Sequence, residues 1–350
     1  MKHFSGTYRP ELIQFLLNVV DIDMTPVEEK ERLIQSGEMH YSDMLSKENA
    51  PSILQLKTFQ KATDMGAQKM ASETLYLAEK IKEDAQGKDV VLASLVRAGA
   101  PLGVCLVLAL EYLGVSVKHY GISIVRDRGL DSVAMDFIET QCDKENIYFV
   151  DGWTGKGAIS NQLKKTLSER GGYPEEPKLV VLADPCGKAW LSASNNDWLI
   201  PFGIMGSTIS GLISRTVWSY DDNHGCVLYN DLKGFDLSQS FADKISSLFE
   251  TAKSVSEQSV SKQDLRDDCD TMVKNLAEEY GIDSINRVKP GVAEATRAVM
   301  RRVPDYVLIK DMKDPDVALL IDMARKAGSN VVERGAALGR YKAVTLIKKS

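Results

Sequence analysis

Residues 147–157 read Ile147-Tyr148-Phe149-Val150-Asp151-Gly152-Trp153-Thr154-Gly155-Lys156-Gly157, and this stretch decides the fold. An apolar run forms a buried strand, a carboxylate ends it, and a small Gly-rich loop leads into a helical pattern from Ala158 to Leu167. Successive backbone N–H groups of such a loop, at a helix N-terminus, make a concave cradle for phosphate. Asp151, at the strand end, is placed to hold a ribose hydroxyl or a metal ion. A junction that merely turns the chain would look the same, with glycine permitting the turn and threonine capping the helix. The loop is not a Walker A motif. Gly152 and Gly155 stand too close together, and Gly157 occupies the place of the hydroxyl residue after Lys156.

A second loop lies upstream. The apolar run Asp89 to Leu95 is followed by Val96-Arg97-Ala98-Gly99-Ala100-Pro101-Leu102-Gly103 and an apolar helix, Val104 to Leu113. The guanidinium of Arg97 matches phosphate oxygens, and Ala98 and Gly99 let an anion approach the backbone. A strand-to-helix turn with a solvated arginine is the plainer alternative. The wider pattern alternates: strands at 89–95, 115–125, 147–151 and 178–183, helices at 101–113, 132–140 and 157–169. That spacing predicts an α/β fold, a mostly parallel sheet with helices on both faces and its binding loops gathered at the C-terminal strand edge. Two anion-suited loops on one edge suggest a crevice for a substrate with two phosphate groups. Between them, Arg126 and Arg128 follow the strand ending at Val125; they either neutralise pyrophosphate or form an exposed, salt-bridged turn.

At 350 residues the chain is long enough for two domains. With 44% hydrophobic and 26% charged residues its composition is that of an ordinary globular protein. No apolar run reaches the roughly 18 to 20 residues of a membrane span, and Met1-Lys2-His3-Phe4-Ser5 does not open a signal peptide. The expectation is a cytoplasmic protein with no membrane partner. The cysteines, Cys105, Cys142, Cys186, Cys226 and Cys269, are scattered without C-x-x-C spacing, which argues against a disulfide framework or a zinc site. His224 and Cys226 fall on one face of a strand-like stretch. A Cys/His centre assembled from distant segments stays open. The net charge is −6, but residues 285–350 carry 14 Lys+Arg against 7 Asp+Glu, a net +7 on a remainder of −13. Such asymmetry suits a nucleic-acid-binding appendage and equally a basic docking face.

Four regions result: a helical N-terminal extension (1–85), the α/β core (86–235), a helical linker (236–284) and a small basic α/β domain (285–350). Ala62 to Ala85 shows helical spacing of Met65, Met70, Leu75, Leu77, Ala78 and Ile81. The linker holds the Ser-rich run Ser254 to Ser261 and an acidic helix from Gln263 to Tyr280. In the tail, strands are expected at 306–310, 329–333 and 342–348, a Gly335/Gly339 loop precedes the last, and Asp314-Pro315-Asp316 starts a helix.

The two loops resemble those of the type I phosphoribosyltransferases: Ser94 to Gly99 is similar to the pyrophosphate loop, its Arg97-Ala98-Gly99 triplet to that of the uracil-specific members, and Val150 to Gly157 to the loop that binds phosphoribosyl pyrophosphate (PRPP). The whole chain resembles the StiP-type proteins of bacterial tellurite-resistance (Ter) stress operons, which join a phosphoribosyltransferase-like domain to a C-terminal Pelota-like RNA-binding domain and are often labelled cysteine proteases. The matching runs are Gly37 to Ser46, Asp151 to Gly157, Ser210 to Thr216 and Asn286 to Gly291. The resemblance implies an Mg2+-dependent enzyme of the stress response that joins ribose 5-phosphate from PRPP to a small base-like acceptor. It implies that Ser94, Arg97, Ala98 and Gly99 take pyrophosphate, helped by Arg126 and Arg128. Asp151, with Gly152 and Trp153, would hold the ribose or its metal, and Thr154, Gly155, Lys156 and Gly157 the 5-phosphate. Lys188 and Trp198 would contact the base, and Ser210 and Arg215 belong to a signature run and are taken as substrate-binding. Arg334, Arg340 and Lys342 would bind structured RNA. A homodimer is compatible with all of this. Typical members end the second strand on two adjacent acids, with three residues before Thr-Gly; here Gly152 follows Asp151, Trp153 alone precedes Thr154, and the second acid is missing. Two other readings therefore stand beside catalysis: a non-catalytic PRPP, nucleotide or RNA-binding regulator, and a cysteine protease.

Overall fold

The computed structural model describes residues 3–256, 260–301 and 304–347. The N-terminal stretch holds β1 (Gln14–Phe15), β2 (Asn18–Val19), α1 (Val27–Ser36) and α2 (Ile53–Ala85). A capping box starts α2, Ser52 and Gln55 each bonding the other's backbone. The core follows as β3 (Val90–Val96), α3 (Gly99–Tyr112), β4 (Val117–Val125), β5 (Gly129–Leu130), α4 (Ser132–Ile138), β6 (Ile147–Val150), α5 (Ala158–Arg170), β7 (Leu179–Ala183), β8 (Leu191–Ser194) and β9 (Gly225–Cys226). The expected alternation is all present, with bounds shifted by one or two residues. β8 departs from expectation, its Ser192 and Ser194 giving no apolar run.

The main sheet runs β1-β4-β3-β6-β7-β8, all parallel, with β5 antiparallel on β4. The chain steps from β3 outward to β4, then crosses back to β6 on the other side of β3. Strand order thus reverses between β3 and β6, where Ser94 stands in register with Val150. Ligands of open α/β sheets bind outside the carboxyl ends of such a pair, and these ends carry Arg97 and Asp151.

Both faces are covered. On one, α3 is apolar all round because it lies between the sheet and α2; Phe241 and Ile245 of α6 (Ser238–Ser246) complete that layer. On the other, Met135 and Ile138 of α4 and Leu163 and Leu167 of α5 pack on Phe149 and Val181. The N-terminal extension is woven into the core: β1 adds to the sheet beside β4, β2 pairs with β9, and α2 lies on α3.

The linker region divides. While α6 belongs to the core, α7 (Lys262–Glu279) packs Cys269, Met272 and Leu276 under the C-terminal domain. Of the Ser-rich run, Glu257, Gln258 and Ser259 lie outside the described residues; Ser261 caps α7 by accepting from Asp264 N at 3.1 Å. The C-terminal domain comprises β10 (Val288–Pro290), α8 (Val292–Arg301), β11 (Tyr306–Ile309), α9 (Ala318–Lys326), β12 (Asn330–Glu333) and β13 (Ala343–Leu346). Its sheet runs β10-β13-β11-β12. The last strand ends at Leu346, and Lys348 lies outside the described residues. Asp314-Pro315 caps one 3-10 turn before α9 begins. No helix among the described residues is long and apolar enough to cross a membrane.

This small domain docks over the loop edge of the core. The Tyr341 hydroxyl donates to Gly155 O at 2.7 Å, Lys156 Nζ donates to Val288 O at 2.7 Å, and buried Asp197 accepts from Val292 N at 2.9 Å and Lys342 N at 2.8 Å.

Candidate functional site

At the ends of β3 and β6 lies a crevice of about 350 Å³. Arg97, Ala98, Asp151, Trp153, Thr154, Gly155, Lys156 and Gly157 line it from the two loops; Arg126, Arg215 and Tyr41 line its side, and Lys289, Pro290, Glu294 and Arg297 of the C-terminal domain form the opposite wall. Both anticipated loops therefore meet in one place, as their position at the reversal of strand order requires.

The 151–157 loop is anchored below and open above. Thr154 N donates to Ala183 O at 2.9 Å, and its hydroxyl donates to Asp184 Oδ1 at 2.5 Å. Asp184 also accepts from the N–H groups of Lys188 and Ala189. Thr154 thus spends its hydroxyl on the scaffold and keeps its place in the loop by it. Gly157, at φ +82°, leads into α5, and the first hydrogen bond of that helix runs from Asn161 N to Gly157 O. The N–H groups of Gly155, Lys156 and Gly157 donate to no other group of the chain among the described residues. These orphan donors are what a helix N-terminus offers an anion.

Burial pushes the half-buried Asp151 carboxyl up to about 7, against the pull of the Gly152 N–H at 2.7 Å and of Arg297. Burial, with Lys289 close by, pushes the Lys156 ammonium down to about 7. Both groups then sit near their titration midpoints at neutral pH, a pattern that clusters at functional sites.

The Arg97 loop is more tightly held than its sequence suggests. The Val96–Arg97 peptide is cis. The Arg97 side chain is buried, with Nη1 2.6 Å from Glu48 Oε2 and 3.2 Å from Ile213 O. Burial alone would raise Glu48, but Arg97 and the N–H and hydroxyl of Ser207 outweigh it and hold the carboxyl at about 2. The expected solvated or pyrophosphate-facing arginine is thus an internal ion pair that borders the crevice. Nothing local in the sequence points to Glu48 as its partner.

Several anticipated residues lie elsewhere. Arg128 forms a two-point ion pair with Asp43 (Nη2 to Oδ2 2.9 Å) and bonds Ser42 Oγ, tying down the Gly37 to Ser46 run rather than facing the crevice. Ser94 is fully buried beneath its loop, 2.7 Å from His119 Nε2 and 3.2 Å from Gly99 O. Gly99 and Gly152 serve packing: a Cβ on Gly99 would lie 2.1 Å from Val150 O, and one on Gly152 would lie 2.8 Å from Phe202. Ser210 donates to Gly206 O in the core. Lys188 lies under the loop, 3.4 Å from Asp270. Arg126 does reach the crevice, over the Tyr41 ring at 5.3 Å, and Arg215 donates to the Tyr41 and Met44 carbonyls. Trp198 lines a different cavity, about 810 Å³, between α2 and the C-terminal domain, with Lys69 over its ring at 5.2 Å.

The three anticipated RNA-binding residues are engaged within the chain. Arg334 pairs with Glu279 at 2.6 Å, Arg340 with Asp268 at 3.6 Å, and Lys342 with Asp314 and Asp316 at 3.0 and 2.6 Å. Among the described residues no hydrogen bond joins a cysteine to a histidine: His119 faces Ser94 and Leu12, His224 faces Ser123, His40 faces Ser42 and His3 faces Gln14. Burial pushes Cys226 up to about 12 and Cys142 up to about 11. Cys269 is the lowered thiol, through its bond with Cys186 and then Tyr341.

Sequence reasoning missed Glu48, Tyr41 and the whole C-terminal wall, and it took the run Asp184 to Lys188 as a wall of the site without foreseeing that Asp184 anchors Thr154. The available signals were two runs carrying the family resemblance, Gly37 to Ser46 beside Glu48, and Asn286 to Gly291, which leads into α8.

Residues 6–246 match the family described as tellurite-like stress resistance cysteine protease StiP, and residues 268–349 match the PELOTA RNA binding domain. A protein named cysteine protease StiP, from Acinetobacter baylyi, is 44% identical over 363 residues, covering 99% of this chain and 94% of the relative. Among solved structures, the hypoxanthine phosphoribosyltransferase of Trypanosoma cruzi matches with 17% identity and a TM-score of 0.30, over 38% of this chain and 82% of that one. The same enzyme in complex with its product IMP matches at 18% and 0.30, over 47% and 92%. The match across most of the chain and the 44% identity establish that the chain belongs to the StiP family and ends in a Pelota-type domain.

Proposed function

We propose that the crevice binds PRPP and that the protein transfers its phosphoribosyl group to a small base-like acceptor, as part of a stress response. The observation that carries this reading is the set of unengaged amides at Gly155, Lys156 and Gly157, opening α5 beside a strand-end carboxylate and facing the Arg97 loop across one crevice. The amides and Lys156 hold the 5-phosphate. The ammonium, held down by burial, regains its proton when an anion binds beside it. Asp151 accepts from the ribose hydroxyls. The Arg97 loop and Arg126 receive the diphosphate. As the C1–oxygen bond to pyrophosphate breaks, the leaving group takes the electron pair, and a ring nitrogen of the acceptor forms the new bond to C1 while passing its proton to water. The transition state has oxocarbenium character, so these groups act by position and charge.

Among the described residues no group of three or more His, Cys, Asp and Glu converges on a point. Mg2+ carried in on a diphosphate needs one or two carboxylates and keeps several waters; Asp151 would hold it. When bound, it would neutralise charge on the leaving group.

A second reading, a regulator that binds PRPP without turning it over, draws on Arg97 being held by Glu48 and on the short loop with one acid. For the protease activity in the relative's name, no hydrogen bond joins a cysteine to a histidine among the described residues. The Pelota-type domain supports structured RNA as a further partner, which would have to compete with the carboxylates now paired with Arg334, Arg340 and Lys342. Calorimetry with PRPP, followed by pyrophosphate release with a panel of bases, tests the proposal. Binding with release supports it, binding without release favours the regulator, and no binding overturns both.

A further inference from the structure

The wall of the crevice opposite the two loops belongs to the C-terminal domain. Glu294 and Arg297 stand one turn apart on α8, so both project to one side of that helix, and both line the crevice. Arg297 stacks over the Trp153 ring at 4.7 Å. A Cβ on Gly155 would lie 3.7 Å from Glu294 Cγ and 3.2 Å from Pro290 O, so the phosphate loop and this wall are in van der Waals contact. Lys289 lies 3.6 Å from Glu294 at the same wall. On the core side Arg97 is paired with Glu48 and Arg215 with two backbone carbonyls, while Lys156 and Arg126 also line the crevice; Arg297 itself lies 3.5 Å from Gly203 O. The core side alone therefore offers a polyanionic sugar phosphate Lys156 and Arg126 as cations not held by a carboxylate of the crevice, and a single strand-end carboxylate for its hydroxyls.

We propose that the site is built by both domains, with Arg297 contacting the anionic oxygens of the phosphorylated sugar and Glu294 joining Asp151 as a second acceptor for its hydroxyls. The C-terminal domain, matched elsewhere to an RNA-binding type, is then a working part of the small-molecule site, and filling the crevice is linked to its docking. This rests on the phosphosugar reading above.

The test uses the full chain and calorimetric titration with PRPP, ribose 5-phosphate and inorganic pyrophosphate. Arg297→Ala should weaken PRPP about ten- to a hundred-fold, the loss expected for one charge-assisted hydrogen bond, and Arg297→Lys should recover part of it. Glu294→Gln, which keeps shape, should weaken PRPP and ribose 5-phosphate but leave pyrophosphate unchanged, since pyrophosphate has no sugar hydroxyls. Small-angle X-ray scattering and resistance of the seam between the domains to proteolysis report whether the domain stays docked. Variants that remain docked yet bind PRPP as the parent does would overturn the two-domain site while leaving the phosphosugar reading intact. The two-domain site is equally overturned if Glu294→Gln weakens all three ligands equally, or if Arg297→Lys is as poor as Arg297→Ala. A parent protein that binds none of the three removes the phosphosugar reading and this inference with it.

Discussion

Glu48→Gln is the sharpest perturbation of the loop edge. Glu48 is about a quarter exposed and its partner Arg97 is almost fully buried, 2.6 Å away. Holding a carboxyl at about 2 instead of 4.5 corresponds to about 3 kcal/mol. Removing one partner of a buried pair, which leaves the other charge uncompensated, costs about 3 to 5 kcal/mol. The two routes agree. In a chain of this size the loss should lower the melting temperature by about 5 °C. The sign with pH follows from a folded value below the unfolded one: the stabilisation is complete above about 4.5 and disappears as pH falls through about 2. The gap between parent and variant should therefore be widest near neutrality and should close in acid. Affinity is a second readout. Neutralising Glu48 removes the anion that competes with pyrophosphate for Arg97, so PRPP should bind more tightly while the fold weakens. A variant that melts within about 1 °C of the parent at neutral pH would refute the energetic reasoning, and one that binds PRPP more weakly would mean that Glu48 organises the loop for its ligand.

Gly99→Ala should cost at least about 3 kcal/mol, because its Cβ would meet Val150 O, whereas Gly37→Ala, strained at φ +76° but in open space, should cost about 1 kcal/mol; equal melting temperatures would contradict the packing of the two loops. With the Asp151 carboxyl raised to about 7, its share of PRPP affinity should rise between about pH 6 and about pH 8 as the carboxylate forms, while the share of the Lys156 ammonium, held down to about 7, falls over the same range, so Asp151→Asn should leave only the fall. The same raised value means the folded state holds a proton the unfolded chain has lost, so this group's contribution to stability falls as pH rises from about 4 to about 7. Iodoacetamide should label Cys142 first, since the other four cysteines are buried, and only slowly, with its thiol pushed up to about 11; PRPP binding should survive, and its loss on labelling Cys142 would place a thiol in the site.

What could be read from the sequence was whatever repeats at short range. β3 and β6 are buried on both faces, so they show as apolar runs, and the loops that follow them carry their own glycine and charge signals. The tail strands and the Asp314-Pro315 cap were legible for the same reason. β8 was not, because Ser192 and Ser194 are buried without being apolar. β10 was missed because a three-residue strand is too short to show a period; α8, ten residues long, carried a helical pattern that went unread. What a charged side chain does was the least legible of all. Arg97, Arg128 and Arg334 look alike as exposed-turn arginines, yet Glu48, Asp43 and Glu279 claim them from 49, 85 and 55 residues away.

That failure bears on how the site works. A cation already paired inside the protein meets an incoming phosphate by exchanging partners, so its affinity is set by the difference between two anions rather than by its own charge. The loop amides have no such competitor within the chain among the described residues, and they should therefore set the baseline affinity for the 5-phosphate, while Arg97 should govern how strongly the diphosphate is preferred over it. Salt gives an independent check on this division. Buried pairs are screened less than exposed charges, so added salt should weaken the part of binding that depends on Arg126, beside solvent, more than the part that depends on Arg97. If Arg126→Ala leaves the salt dependence of PRPP binding unchanged, the exposed cations take no share in holding the ligand, and the buried wall and the amides account for it.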